Sequence, residues 1–512
     1  MLSRIKTFGL FGIEGYEITV EVNVGLGMPA FNLVGLPDSS VKESKERVKT
    51  AIENSGFRSK YQKVTVNLSP ADKKKEGTFF DLPIAVGILC STGYVKADAE
   101  TIFVGELSLD GSINGVRGIL PIIISAKQHG YKKFIIPDDN VNEASYIEGI
   151  DVYAVKTLKG LVAHLNGDAV IEKAVQREFL QVVSENEFSH DMSQVKGQAV
   201  AKRAMEIAVS GGHNLLFVGA PGMGKTMLAK CLPSIMPTMR ADEALEITKI
   251  HSISGTLDSK VGIVTTRPFR TPHHTATTPA LCGGGTNALP GEISLATHGV
   301  LFLDELPEYN RQTIESLRQP LEDRVISVAR ANQKAMYPAN FMLVASMNPC
   351  PCGNFGSSKP CRCTQSQIAK YLAKLSGPLL DRIDIQVEVD SIEYDEILKS
   401  ETSESSSDVK ARVEKAREIQ LERYVGTKEK TNSEISDKEM SKFCKLSDDC
   451  EAILKMAFES LNLSMRGRTR IIRVARTIAD LDGSTEIQAH HIAEAIQYRT
   501  LDRKYFVKGV GN

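Results

Sequence analysis

Asn214-Leu-Leu-Phe-Val-Gly219-Ala220-Pro221-Gly222-Met223-Gly224-Lys225-Thr226-Met-Leu-Ala229 is the stretch whose reading decides the fold. Leu215 to Val218 is a short apolar run that reads as a buried parallel strand, and Thr226 to Ala229 has helix-forming composition. Between them stands G-x-x-x-x-G-K-[ST], in the strand–loop–helix setting that gives this motif its meaning. Its glycines let the backbone wrap a phosphate chain, so that successive N–H groups and the helix N-terminus face the anion. Lys225 brings a mobile positive charge to the outer phosphates, and the Thr226 hydroxyl is placed to ligate Mg²⁺. A glycine-rich turn that binds nothing has no need of every fixed position behind a strand. The stretch therefore predicts an α/β core that binds a nucleotide with Mg²⁺.

Working outward, 512 residues allow two to four domains, each with its own core. A formal net charge of −1 means that any nucleic-acid surface is local rather than a global basic field. Membrane-span and signal-peptide patterns are both missing from the text, which makes the cytoplasm the expected location. Five of the nine cysteines (Cys90, Cys231, Cys282, Cys444, Cys450) are scattered and read as packing residues.

Upstream, residues 1–165 carry no phosphate loop and read as a separate α+β domain. Strand-like runs (Tyr16 to Val24, Lys63 to Leu68, Lys133 to Ile136, Val152 to Val155) alternate there with helical ones (Ser40 to Asn54, Pro83 to Leu89). A polar linker spans 166–190, and Ala199 to Ser210 is a helix leading to the phosphate-loop strand. Downstream, Glu243 to His251 reads as helix. The stretch 252–289, rich in Gly, Thr and Pro, reads as one irregular functional insert. It holds Arg267-Pro-Phe-Arg270-Thr-Pro-His273-His274, whose arginines are candidates for DNA phosphates and whose histidines read as a hydrogen-bonded turn.

His298-Gly-Val-Leu-Phe-Leu-Asp304-Glu305 runs an apolar strand into two carboxylates at its C-terminal end, where ligands collect in parallel sheets. Asp304 is assigned to Mg²⁺ and Glu305 to the attacking water. An amphipathic helix is expected over 313–321, and a hairpin over 324–338 with Lys334 at its basic tip. The strand Phe341 to Ser346 delivers Asn348 to the γ-phosphate or the water, and Arg382 follows a short helix. Residues 191–395 form the core, and 396–512 form a lid with helices over 409–424, 448–461, 465–481 and 488–498. In the third, Ile471, Val474 and Ile478 make the apolar stripe. Five arginines in eleven residues (466–476) need anions to offset their mutual repulsion.

Cys350, Cys352, Cys361 and Cys363 form a C-x-C-x₈-C-x-C array in the loop 350–363. Four thiolates can close around one Zn²⁺, with no open position for catalysis. A free-thiol loop, two disulfides and an iron–sulfur cluster are the alternatives, and structural zinc is preferred.

Two segments of the first domain, Pro70 to Ala85 and Val104 to Pro121, resemble the proteolytic domain of Lon proteases, a fold shared with ribosomal protein S5 domain 2. That chemistry needs a serine activated by a lysine. The matching places hold Phe80-Asp81 and Arg117, and arginine stays protonated, so the resemblance extends to the fold without the dyad. The core motifs resemble the AAA+ ATPases. Arg267-Pro-Phe-Arg-Thr-Pro-His-His, Pro290-Gly-Glu-Ile-Ser-Leu-Ala, Asn348-Pro-Cys-Pro-Cys-Gly and Arg466-Gly-Arg-Thr-Arg-Ile-Ile-Arg resemble, more closely, the magnesium-chelatase-like subgroup typified by bacterial ComM/YifB proteins. This likeness implies a homo-hexameric ring in which Arg382 is the finger reaching a neighbour's nucleotide. It makes Arg466 the lid's sensor, with Arg470 the second choice, and turns the insert and hairpin toward the pore. It also implies a DNA helicase that drives branch migration during natural transformation, with recombination proteins as partners. A chelatase-type motor acting on a partner protein is the alternative function.

Overall fold

The computed structural model describes residues 2–505 apart from 26, 58–62, 180–187, 286–287, 331–332, 357–358, 391–403, 462 and 502–504. Its first sheet contains β1 (Leu2–Phe11), β2 (Glu14–Gly25), β3 (Ala30–Val34), β4 (Lys63–Ser69), β5 (Thr101–Phe103), β6 (Lys133–Pro137) and β7 (Asp151–Val155). Their order is β3-β4-β2-β1-β5-β6-β7. The β1/β2 and β2/β4 pairs are antiparallel and the rest parallel. Helix α1 (Ser39–Asn54) packs on α2 (Asp81–Ser91), which lies with α3 (Ile119–Gln128) on β1 and β2. The α2 sequence is apolar all round, and the helix is accordingly buried on nearly every side.

Helix α4 (Ala199–Gly211) leads to β8 (Leu215–Val218), followed by α5 (Lys225–Ile235), α6 (Ala241–Ser254) and β9 (Phe269–Arg270). Then come β10 (Val300–Leu303), the hairpin β11 (Val325–Arg330) and β12 (Gln333–Pro338), β13 (Met342–Met347) and β14 (Ile385–Glu388). The core sheet is parallel throughout, in the order β9-β10-β13-β8-β14. Leu215 and Phe217 join the hydrophobic cluster on one face of β8, and Leu216 and Val218 the cluster on the other. Burial on both faces explains why this strand reads as a continuous apolar run.

Two expectations are corrected. The stretch 252–289 is not one irregular insert, since α6 runs on to Ser254 and Phe269–Arg270 is the sheet's edge strand. The helix expected over 313–321 is two, Arg311–Glu315 and Arg318–Asp323. Pro320 lies in the first turn of the second, where a missing N–H costs nothing.

The lid contains α7 (Ser406–Arg423), α8 (Asp448–Leu461), α9 (Met465–Leu481) and α10 (Ala489–Gln497). Helix α7 packs on α4 and α5, and the buried stripe Ile471, Val474 and Ile478 of α9 shares the same core. The expected boundary at 395/396 and residues 180–187 of the expected linker lie outside the described residues.

The first domain is docked onto the phosphate-loop core. Asn142 Nδ2 donates to the Ser259 and Lys260 carbonyls, both at 3.1 Å, and Tyr146 Oη to the Val261 carbonyl at 3.2 Å. Ser252 of α6 accepts from Gly118 N–H at 3.1 Å and donates to Glu143, whose carboxyl burial pushes up to about 7. Phe11, the last residue of β1, and Ile13, in the β1–β2 turn, pack against the cluster that contains the β11–β12 hairpin. No helix among the described residues is long and apolar enough to cross a membrane.

Candidate active site

The phosphate loop leaves the C-terminal end of β8 and enters α5 at Lys225, with Gly224 as N-cap. Gly222 (φ +83°) and Gly224 (φ +86°) lie in the left-handed region, and a Cβ on either would meet nothing within 4 Å. This open cradle in front of an eleven-residue helix fits a phosphate chain. Lys225 is buried. Its Nζ donates to the carbonyls of Gly219 (2.6 Å) and Ala220 (2.9 Å) and to Asn348 Oδ1 (3.1 Å). Burial lowers its pKa from the ordinary lysine value, a cost that a bound phosphate offsets. Thr226 Oγ1 donates to Asp304 Oδ2 at 2.9 Å, so the two expected Mg²⁺ ligands already touch. Gly219, Ala220, Lys225, Thr226, Asp304, Glu305 and Asn348 thus gather at the C-terminal ends of β8, β10 and β13.

Sequence reasoning missed Ser346. Its hydroxyl donates to Asp304 and accepts from Glu305 N–H at 3.1 Å, fixing both carboxylate residues from the neighbouring strand. Glu305 itself has φ +53°, a left-handed backbone that turns its side chain out of the strand's alternation. The available signal was a lone serine inside the apolar β13 run, two residues before Asn348.

The arginines occupy the opposite end of the sheet. Asn214, just before β8, donates through Nδ2 to the Arg382 carbonyl at 2.8 Å, and its N–H donates to Asp384 Oδ2 at 3.0 Å. Four strand residues, roughly 13 Å, separate that edge from the phosphate loop. Arg382 Nη1 donates to the Pro378 carbonyl at 2.6 Å, and its guanidinium pairs with Glu322. A cleft of about 790 Å³ is lined by Glu322, Arg382, Arg466, Arg468, Arg470 and Arg473 among others, and by no residue of the phosphate loop.

The repulsion along α9 is relieved by partners on other elements and by one acid of its own last turn. Arg468 pairs with Glu451 at 2.7 Å, Arg470 with Asp384, and Arg476 with Asp480 at 3.0 Å, while Arg473 donates to the Ile435 carbonyl. Arg466, in the first turn of α9, is exposed at the cleft. Arg470, the second choice for the sensor, is held by Asp384. Asp384 is buried, and although desolvation opposes its charge, Arg470 and His213 hold its carboxyl well below the usual range. A carboxylate depressed in this way contributes stability that is full above the free pKa of about 4 and drains as pH falls below it. Asp384→Asn should cost about 3–5 kcal/mol, because Arg470 is left without its charge partner. Urea unfolding at neutral pH checks this, and the difference between the two proteins should shrink under acid conditions.

Family models agree with this architecture along the chain. Residues 191–397 match "Magnesium chelatase, subunit ChlI", residues 20–140 match "Subunit ChlI of Mg-chelatase", and residues 403–499 match its C-terminal region. Competence protein ComM of Haemophilus influenzae is 43% identical over 510 residues, 98% of each chain. The chain belongs to the magnesium-chelatase-like ComM/YifB family. YifB of Escherichia coli is 41% identical over 505 residues, again 98% of each chain. Lon protease 2 of Bacillus subtilis is 28% identical over 158 residues, 28% of each chain, in line with a Lon-like domain in this family. The parallel core sheet, Lon-like domain and helical C-terminal region make this ComM/YifB relative an AAA+ protein, and AAA+ membership brings ATPase chemistry with it.

In this ComM/YifB chain the guanidiniums of Arg267 and Arg270, the expected DNA candidates, are both engaged within the subunit. Arg267 pairs with Glu243 at 2.8 Å and donates to the Pro237 and His298 carbonyls, each at 2.8 Å. Arg270 forms a fork with Glu292 at 2.6 and 2.8 Å. Lys334, on β12, is exposed. His273 bonds to Thr275 Oγ1 at 2.9 Å, a turn contact as expected.

The cysteine loop is closed. Cys350 Sγ lies 3.4 Å from Cys352 Sγ and 3.7 Å from Cys361 Sγ, with 3.6 Å between Cys352 and Cys361. Cys363 completes a group of four with all sulfurs within 4.8 Å of one another. Tetrahedral Zn–S bonds of roughly 2.3 Å require sulfur–sulfur edges of about 3.8 Å, so the cage has the right size. Backbone N–H groups of Asn354 and Arg362 pull the Cys352 thiol down to about 6, while burial and the neighbouring sulfurs push Cys361 and Cys363 up.

Proposed function

We propose that the chain is an ATP-driven DNA motor, a hexameric helicase that promotes branch migration during natural transformation. The observation that carries it is the separation of Arg382 and Arg466 from their own phosphate loop. Placed at opposite ends of one sheet, the two halves of a hydrolytic site meet when a second copy turns its arginine cleft toward the first copy's loop, and repetition of that contact makes a ring. In the loop's half, Gly219 to Gly224 cradle the phosphates, and Thr226 and Asp304 would hold Mg²⁺, which would neutralise phosphate charge. Glu305 orients and deprotonates the water, Asn348 positions it, and Ser346 keeps both acids in place. In the neighbour's half, Arg382 releases Glu322 and swings to the γ-phosphate, with Arg466 beside it. Zinc is assigned to the four cysteines in a structural role.

The DNA reading is supported by the near-full-length likeness to a competence protein and by Lys334 on the exposed hairpin. Purified protein should bind single-stranded or branched DNA, with affinity falling steeply as salt rises. Lys334→Ala should weaken binding alike on all sequences and lower the salt slope by about 1, with basal hydrolysis unchanged. Arg267→Ala should lower stability rather than DNA affinity. If DNA neither binds nor stimulates hydrolysis, a chelatase-type motor acting on a partner protein becomes the better reading. Proteolysis is not proposed, because Asp81 is buried and held by Arg47 Nε and Nη2 at 2.7 and 3.1 Å, while Arg117 is exposed and lies against Gly255.

A further inference from the structure

We propose that the four-cysteine knuckle is the wall against which the phosphate loop rests, so that its metal occupancy sets the affinity for nucleotide. Gly353 is the positioning residue. This rests on the metal reading given above.

Gly353 N–H donates to the Cys350 carbonyl at 2.9 Å and closes the first turn of the knuckle. Its φ is +82°, and a Cβ built there would stand 2.3 Å from Pro221 Cδ and 2.7 Å from Cγ. The knuckle backbone therefore lies directly on the ring of Pro221, inside the phosphate loop. Because Gly222 and Gly224 face open space, the loop is held at its flanks. Gly219 abuts the Val389 carbonyl, 2.4 Å from where its Cβ would be, and Pro221 abuts Gly353. Two residues before Cys350, Asn348 accepts the Lys225 ammonium, so one short segment touches the loop and its lysine together.

On its far side the knuckle is tied down. Phe355 N–H donates to Cys350 Sγ at 3.3 Å, and the Phe355 ring meets Tyr505 edge-on at 6.3 Å. Tyr505 Oη donates to Glu388 at 2.7 Å, at the end of β14. Between Cys350 and Cys363 the described residues form neither helix nor strand, so the metal–sulfur bonds are what makes this segment stiff enough to serve as a wall. Without the cation no bond joins the four sulfurs across the loop. Once the segment loosens, Pro221 becomes free, and nucleotide binding must then order it.

Ordering one residue costs about 1–2 kcal/mol, so nucleotide affinity should fall about tenfold. Metal content and the affinity for a fluorescent ATP analogue would be measured on the full-length protein as purified, after stripping with a chelator, and after returning Zn²⁺. The expected result is about one zinc per chain, weaker binding when stripped, and recovery with Zn²⁺ but not with Mg²⁺ alone. Gly353→Ala should keep its zinc and still bind the analogue more weakly, and Pro221→Ala added to it should restore part of the loss by removing the ring. A wild-type chain that never carries metal overturns the metal reading itself. One that carries metal yet binds equally well after stripping overturns only the coupling, as does a folded Gly353→Ala protein with wild-type affinity. Should Gly353→Ala fail to fold, the stripping arm decides.

Discussion

Arg382→Ala will lower steady-state ATP hydrolysis by about 10³-fold or more, the scale lost when a guanidinium that meets developing phosphoryl charge is removed. Nucleotide binding should survive, since the phosphate loop is untouched at the other end of the sheet. The decisive test is mixing. Lys225→Ala chains lack a working loop but carry an intact Arg382, and Arg382→Ala chains the reverse. In mixed rings some interfaces pair an intact loop with an intact arginine, and hydrolysis should return in part. No recovery at any ratio, with mixed rings seen by native mass spectrometry, would contradict action across the interface. Local structure adds a constraint. Arg382 is 8% exposed and already paired with Glu322, so reaching a neighbour requires exchanging a carboxylate for a phosphate.

Glu305→Gln should leave nucleotide bound and cut turnover by about 10²–10⁴-fold, the range for loss of a positioned general base. Lys225→Ala should abolish binding instead, because its ammonium faces the phosphate seat from a buried position. The two variants separate in a filter-binding assay with ATP, where only the glutamine protein retains label. Normal turnover by Glu305→Gln would remove that residue from the chemistry. Asp304 would then be the acid to examine, since Ser346 orients both.

Much of the nucleotide half-site was legible because its chemistry is local in sequence. Loop, lysine and threonine are consecutive, and Asp304-Glu305 and Asn348 each follow an apolar strand. Ser346 was not, since only pairing of β10 with β13 brings its hydroxyl between Asp304 and Glu305. The arginines show the same limit from the other side. Arg267, Arg270 and Arg470 look like free charges in the text, and each meets a carboxylate at least 22 residues away along the chain. In the first domain, β1 and β3 escaped notice. Lysine and glycine interrupt the alternation of β1, and β3 has no fully buried residue. Strand β9, two residues long, carries no periodic signal at all.

The Arg47–Asp81 pair bears on what the first domain can admit. Phe79, Phe80, Asp81 and Leu82 are each no more than 8% exposed, so the whole neighbourhood in which a Lon serine would stand is sealed from any peptide. Restoring a hydroxyl at residue 81 would strand the Arg47 guanidinium and still leave the nucleophile out of reach. Peptide cleavage here would need the helix start to be opened and its cation replaced in concert. What the pair closes off is access, so no single substitution at residue 81 would give this domain a usable nucleophile.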